Sequence, residues 1–558
     1  MKLKSVYKMT GMLSLAALLF SAVCDTAYGA GGGNPSGHSN TAENAYQNSD
    51  ALLEINHIAR YTSGAEFDES GTEIVKYNYK NGYGYSVNGA ESSLDIIDVA
   101  GQNNGEINLV KRIYLEDHGI EAGDLTSVTV HPKGKYVAVS APAEDKTEKG
   151  KVVFLDAEGN LLNSLSVGSL PDMLTFTPDG EKLLVANEGE PSDDYQINPE
   201  GSISIVDITG NPKTLTAESV SALPFTKNMA PEDLRTVGPD AEKDYLNMEP
   251  EFISIDSDSK YAYATLQESN AVAKIDIQNK KIVEISSLGY KDHSVERNSM
   301  DISDQDGKNE MMTAPVLGLY QPDGIAAFEK NGETYILTAN EGDAQDYEGY
   351  SEEARAGEIE GRVDLNAANF AGYSQKELDD MAEDGLFNDG NAGRLNITEQ
   401  HSFKDGDIHN ALVSFGGRSF SILKGSDLSQ LYDSGNEFEN IIQDEVPERF
   451  NIDFAGPDEY IQDDRSDNKG PEPESVETGK VGGKTYAFIG LERTGGIMIY
   501  DVTEPTAPEY AEYIYDETNT DISPEGIEFI NPQDSPDGKA RLMVANELSG
   551  TISTYSLQ

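Results

Sequence analysis

The chain has 558 residues, with 41 lysines and arginines against 99 aspartates and glutamates, a formal net charge of −58 at pH 7. That excess of anions excludes nucleic acid as a partner, since phosphate backbones are bound by basic surfaces, and it disfavours direct contact with anionic lipid. A surface adapted to high salt or high external pH accounts for part of the charge, but not for the phase at which the acids recur.

Residues 1–29 read as a secretion signal. Lys2, Lys4 and Lys8 give a positive start, Gly11–Val23 is a short apolar core, and Ala27-Tyr28-Gly29 precedes a cut before Ala30. The single cysteine, Cys24, falls inside this segment, so a mature protein without cysteine is expected, lipidation of Cys24 being the alternative. Residues 30–50 form a flexible leader. No second apolar span or C-terminal anchor follows, so no transmembrane span is expected. The product is read as a secreted, extracellular monomer, free or associated with the cell wall.

Leu53–Tyr61 is a first strand, and hairpins follow it. A proline-carboxylate doublet opens most of them and a second carboxylate closes them: Pro171-Asp172 to Asn187-Glu188, Pro250-Glu251 to Gln267-Glu268, Pro322-Asp323 to Asn340-Glu341, Pro473-Glu474 to Leu491-Glu492, and Pro524-Glu525 to Asn546-Glu547. Two further hairpins carry blurred marks. Glu73 to Glu91 lacks the proline, and Leu125 to Ala141 lacks the carboxylates.

Each hairpin leads to a third apolar strand: 92–99, 151–156, 201–208, 271–277, 416–423, 495–502 and 550–557. A weaker fourth strand usually comes next. Four antiparallel strands at a recurring period describe a propeller blade. The expected fold is therefore all-β, a seven-bladed β-propeller over residues 51–558, its ring closed by the N-terminal strand so that no edge is left unpaired. A β-sandwich with a second domain is the competing architecture. Polar, Gly/Asp-rich insertions near 209–248, 286–320, 342–409 and 424–470 read as surface loops.

Hairpin strands run antiparallel, so the opening and closing marks share one end. Glu73, Asp172, Glu251, Asp323, Glu474 and Glu525 should begin the strands around the axis, with Glu188, Glu268, Glu341, Glu492 and Glu547 beside them. Crowded carboxylates take up protons or demand cations. Oxygen ligands suit hard ions, so Ca²⁺ is the first choice and Mg²⁺ or Mn²⁺ the next. The plainer role is capping backbone N–H groups of the next blade. Asn187–Tyr195 and Asn340–Tyr347 share a spacing and extend outward from ring acids, as metal-site extensions or as ordinary turns. Asp301–Gly307 does not fit an EF-hand, because counting back from Gly307 puts Ile302 first and Thr313 twelfth.

The stretch 463–502 (DDRSDNKGPEPESVETGKVGGKTYAFIGLERTGGIMIYDV) resembles the signature of the choice-of-anchor I family, bacterial surface propellers similar to mesenchyme-specific cell-surface glycoproteins. QPDGIAAF (321–328), TANEGDAQDY (338–347), FGGRSFSI (415–422) and ISPEGIEF (522–529) carry the same likeness. The resemblance implies a secreted seven-bladed propeller, often described as alkaline-phosphatase-like, with calcium and mineral surfaces as partners. This chain departs from the family's name in ending at Gln558 without a sorting segment.

Three arginines stand in those segments, Arg418, Arg465 and Arg493. Each is a salt-bridge partner for the acids or a fork for a phosphate or carboxylate ligand above bound metal. No Gly-x-Ser-x-Gly elbow, HExxH pair or phosphate loop occurs, and His131, His293 and His409 are isolated. The residues point to a secreted binder of divalent cations acting in surface interaction, cation capture or biomineral association, possible partners being the cell wall and mineral. The alternative is a metal-dependent phosphoester hydrolase, phytase-like or alkaline-phosphatase-like, that takes a phosphate-containing small molecule.

Overall fold

A backbone irregularity sets the mouth of four of the acidic hairpins. Pro171, Pro250, Pro473 and Pro524 pair across their hairpins with Asn187, Leu266, Leu491 and Asn546, and in all four the register slips just after the proline. Proline has no N–H for the ladder and so suits a strand's first residue. A bulge next to it re-aims the following side chain, which here is Asp172, Glu251, Glu474 or Glu525.

The residue before the proline is bent at four hairpins, with Gln321 before Pro322 among them and Glu249 not. Leu170, Gln321, Glu472 and Ser523 have φ of 43°, 44°, 52° and 64°, a left-handed conformation uncommon outside glycine. The mouth is then sealed from the other side. The N–H groups of Glu188, Glu492 and Glu547 donate to the carbonyls of Leu170, Glu472 and Ser523 at 2.9, 2.8 and 2.7 Å. Opening and closing acids are thereby pinned to one end of their hairpin.

The computed structural model describes residues 53–558 apart from Thr209 and Asp458. The signal segment and leader expected over 1–50, Cys24 included, lie outside the described residues.

Among the described residues, five sheets have four strands, one has eight, and one has five. The four-stranded sheets are chain-ordered meanders, such as Pro171–Phe176, Lys182–Asn187, Ser202–Asp207 and Val220–Pro224. The eight-stranded sheet joins two such meanders where Arg60 pairs in parallel with Glu106. One runs from Val75–Asn78 to Glu106–Tyr114. The other consists of Pro524–Ile530, Ala540–Asn546 and Thr551–Leu557, completed by Ile55–Thr62 from the opposite end of the chain. That strand pairs antiparallel with the last one, from Ile55 opposite Leu557 to Thr62 opposite Thr551.

First strands of successive meanders abut one another, and Pro524–Ile530 abuts Val75–Asn78. The architecture is a β-propeller with the first strands around the axis. Its sheets are buried on both faces, which explains the continuous apolar runs. In KLLVAN (182–187), Leu184 and Ala186 pack against one neighbouring sheet, while Leu183 and Val185 pack against the other. The axial channel holds a cavity of about 230 Å³, lined by Ile74, Met173, Phe252, Ile325, Val476 and Ile527 among others, with Glu525 at its rim.

The insertions near 286–320 and 342–409 contain more than surface loops. Tyr290–Asp292, Val316–Leu319, Leu412–Ser414, Asn396–Thr398 and Glu353–Arg355 form the five-stranded sheet, mixed in direction. It has its own core around Val316, Ile359, Leu378, Leu395 and Val413. A short helix, Gln375–Glu383, lies over it, capped by Ser374 and Glu377. These strands have three or four residues each, too few to display a period. The 424–470 insertion contributes a second helix, Glu437–Glu445, whose Phe438 and Ile442 enter the core beside Phe420 and Tyr500.

Candidate cation-binding rim

The opening acids gather at one rim. Glu73, Asp172, Glu251, Asp323, Glu474 and Glu525 are half-buried. Burial raises every one of their carboxyls, and neighbouring carboxylates raise them further. Asp172 is pushed up to about 7, by burial and then by Glu190. Glu73 is pushed well up by burial, then by Glu547, Glu525 and Asp172. Glu251 is raised by burial, then by Glu268, Asp172 and Asp323, and Asp323 by burial, then by Glu341, Glu525 and Asp172. Glu474 is raised by burial, then by Glu525 and Glu492. For Glu525, burial and Glu547 outweigh the lowering effect of hydrogen bonding to Glu474.

The closing acids belong to the same assembly. Glu188 is pushed well up by burial, then by Glu251 and Glu190. Glu268 rises to about 8 through burial and Asp343, and Glu492 to about 8 through burial, against the pull of Arg493. Glu547 accepts a 2.6 Å hydrogen bond from the Ser70 hydroxyl. Glu91 stands apart, exposed and 3.9 Å from Arg112.

Two trios are tight enough to share an ion. One carboxylate oxygen each from Asp323, Glu341 and Glu474 lie within 4.8 Å of one another, and so do those of Glu341, Glu472 and Glu492. Two full charges at that separation repel by about 3 kcal/mol at an effective dielectric of about 20, so neutralisation decides what each trio does.

The second trio is neutralised by protein. Arg465 Nε donates to Glu472 at 2.7 Å, Lys469 Nζ lies 3.1 Å from Glu472 and 2.7 Å from Glu341, and Arg493 Nη2 lies 3.0 Å from Glu492. Although burial opposes it, this basic cluster holds Glu472 down to about 2.

The first trio is not. Glu341 is shared with Lys469 and with the Gln267 amide, which donates at 2.8 Å. Among the described residues, no lysine or arginine pairs with Asp323 or Glu474, and Glu474 Oε2 has no hydrogen-bond partner. Glu525, Glu251 and Asp172 likewise have no ion-pair partner among the described residues. Several oxygens, no nitrogen or sulfur donor and a surplus of negative charge fit a hard divalent cation.

The three arginines do different work. Arg418 is buried. It donates to Glu439 at 2.9 Å and to the carbonyls of Asp301, Ser466 and Asn468 at 2.9, 2.8 and 2.8 Å, so its fork is consumed inside the protein. Arg465 is committed to Glu472. Arg493 is the looser one. It is partly exposed, lies 3.7 Å from Glu472 and 3.9 Å from Asp453, and its Nε has no hydrogen-bond partner.

Sequence reasoning missed Glu249, Glu472 and Lys469. The first two are fully buried and precede the prolines of Glu-Pro-Glu triplets at 249–251 and 472–474. That triplet was the available signal. The paired loops do converge: Gly349 N–H donates to the Asp193 carbonyl at 2.8 Å, and Tyr195 packs edge-on against Tyr347 and Tyr350. Asp301 is occupied otherwise, its carboxylate accepting from the N–H groups of Ser303 and Glu310 at 3.2 and 2.7 Å.

A family model for the choice-of-anchor I domain matches residues 73–505. The chain belongs to the choice-of-anchor I family. Two curated relatives are similar to parts of the chain. Gigasin-3a of Magallana gigas is 32% identical over 185 residues, covering 30% of this chain and 64% of its own length. The mesenchyme-specific cell surface glycoprotein of Strongylocentrotus purpuratus is 25% identical over 296 residues, covering 50% of this chain and 38% of its own. The chain thus spans less than two thirds of either. Among solved structures, the WD40 domain of Toxoplasma gondii coronin aligns at a TM-score of 0.45 and 7% identity, over 90% of this chain and 86% of that one. Streptogramin B lyase aligns at 0.42 and 10%, over 91% and 98%. Likeness at that level says nothing about activity.

Proposed function

We propose that this choice-of-anchor I protein is a seven-bladed propeller whose acidic rim binds divalent cations, calcium foremost, outside the cell. The blade count takes the five four-stranded sheets together with the two halves of the eight-stranded sheet. The observation that carries the cation reading is the Asp323–Glu341–Glu474 trio, with oxygens inside 4.8 Å and no basic partner on Asp323 or Glu474. Asp323, Glu341 and Glu474 would hold the ion, with Glu525 and Glu251 adding negative potential. Magnesium and manganese are the next candidates.

A surface role agrees with the name of the sea-urchin relative, a cell surface glycoprotein, and with a signal segment in the sequence. Cation capture, surface adhesion and association with mineral are the roles such a rim supports.

Hydrolysis of a phosphate ester is the second reading, favoured by the partly exposed Arg493, whose Nη2 lies 3.0 Å from Glu492 and whose Nε makes no hydrogen bond. A bound ion would supply Lewis acidity there, and Arg493 would orient the anion.

The experiment is a thermal melt and a phosphomonoester assay on the same preparation, with calcium and with chelator. Calcium at about 100 times its dissociation constant should add about 2.7 kcal/mol of stability. Stabilisation without turnover supports the binder. Turnover that disappears in chelator and in Glu474→Gln promotes the hydrolase. No stabilisation by any divalent ion refutes both.

A further inference from the structure

The rim is not the only place where carboxylates are buried without partners. Glu249 is completely buried and Glu268 is 5% exposed. Glu249 Oε2 accepts from the Gln345 amide at 2.9 Å, whereas Glu249 Oε1 and Glu268 Oε2 have no hydrogen-bond partner at all. The two acids flank the mouth of one hairpin, where Pro250 pairs with Leu266 and the Ser269 hydroxyl donates to the Asn247 carbonyl at 3.2 Å, and after burial the strongest influence on Glu249 is the charge of Glu268. A buried acceptor left unmade costs about 1–3 kcal/mol, more when charged, and native structures seldom leave two side by side.

The loops 187–195 and 340–350 lie next to the pair and are joined by the Gly349–Asp193 hydrogen bond. Tyr195 donates to Gln345 Oε1 at 2.8 Å, and the Gln345 amide donates to Glu249, so both loops are tied to this acid. Two cations stand nearby, yet among the described residues neither forms an ion pair with Glu249 or Glu268. Lys146 pairs with Glu190 at 2.5 Å and lies over the Tyr347 ring, and Arg235 is held by Glu352 and the Glu268 backbone carbonyl, so they offset the charge of the two acids in part.

We propose that Glu249 Oε1 and Glu268 Oε2 hold a second divalent cation of the oxygen-seeking class, beside the paired loops and with ligands distinct from those of the Asp323–Glu341–Glu474 site. Water completes the coordination, as is usual when protein supplies few ligands. The shared spacing of the two loops is then explained by a shared task. This inference deepens the cation-binding reading, and its test separates the two sites.

The chain contains no tryptophan, so terbium bound in a calcium site is sensitised by nearby tyrosine. Tyr195, joined through Gln345 to Glu249, and Tyr347 packed against it are the sensitisers nearest the proposed site. Chelator-stripped protein is titrated with terbium under tyrosine excitation, then with calcium in competition. The expected result is emission displaced by calcium, with affinity weakened by about tenfold or more in Glu249→Gln and unchanged in Glu474→Gln. Glutamine preserves shape and removes repulsion, so Glu249→Gln should melt no lower than wild type in chelator; Glu268→Gln is the second variant and should behave alike. Emission unaffected by both variants, or lost equally in Glu474→Gln, overturns the proposal. Failure of the rim reading shows up differently, as a total calcium stoichiometry that Glu474→Gln leaves intact.

Discussion

Glu472 and Glu474 stand two residues apart at the mouth of one hairpin, yet their charges are treated in opposite ways. Glu472 meets Arg465, Lys469 and Arg493 and is held down to about 2. Glu474 faces Glu525, Glu492, Glu341 and Asp323 and is pushed far up. The slip of register between Pro473 and Val476 turns the two side chains into these different surroundings.

Replacing each by glutamine should therefore act with opposite sign. Glu472→Gln leaves three basic groups facing a lost anion and should destabilise by roughly 3–5 kcal/mol, the usual result of breaking a buried pair. Glu474→Gln removes repulsion and should leave stability in chelator unchanged or raised by about 1 kcal/mol. Chemical denaturation in chelator reads both.

The pH dependence follows from the same shifts. A carboxyl whose folded pKa is raised binds protons more tightly in the native state, so its ionisation costs stability as pH rises through the window from the unfolded to the folded value. With Asp172 at about 7 and Glu268 and Glu492 at about 8, metal-free protein should gain stability on acidification from about pH 8 to about pH 5. Glu472, lowered to about 2, behaves in reverse, its contribution fading below about pH 4. Saturating calcium should flatten or invert the first limb. Melting curves across pH, with and without calcium, decide it.

Arg418 is a structural brace. Arg418→Met should strand Glu439 and the carbonyls of Asp301, Ser466 and Asn468, at a cost of roughly 3–5 kcal/mol. Calcium stoichiometry of the folded fraction should not change. A loss of ions at undiminished stability would place this arginine in the site instead.

Deleting residues 53–62 removes the strand that covers Thr551–Leu557. The exposed edge should pair between molecules, which size-exclusion chromatography would reveal as oligomers alongside a much lower melting temperature.

Much of the scaffold could be read from residue patterns. The third strand expected at 201–208 is observed as Ser202–Asp207, that at 550–557 as Thr551–Leu557, and Leu53–Tyr61 as Ile55–Thr62, because their apolar runs are long and bounded by turns. The five-stranded sheet was illegible, since Asn396–Thr398 and its companions are too short to show alternation. At the site, the doublet acids announced themselves by repetition. Glu249 and Glu472 did not, as they sit just outside the repeated mark, and the fate of Arg418 was hidden because its partners lie between 21 and 117 residues away.

The most direct test is calorimetric titration of chelator-stripped protein with calcium, wild type beside Asp323→Asn/Glu474→Gln. The account predicts saturable binding in the wild type and at least one ion fewer in the double variant, which stays folded. Identical isotherms for the two proteins, or no binding in either, would contradict it.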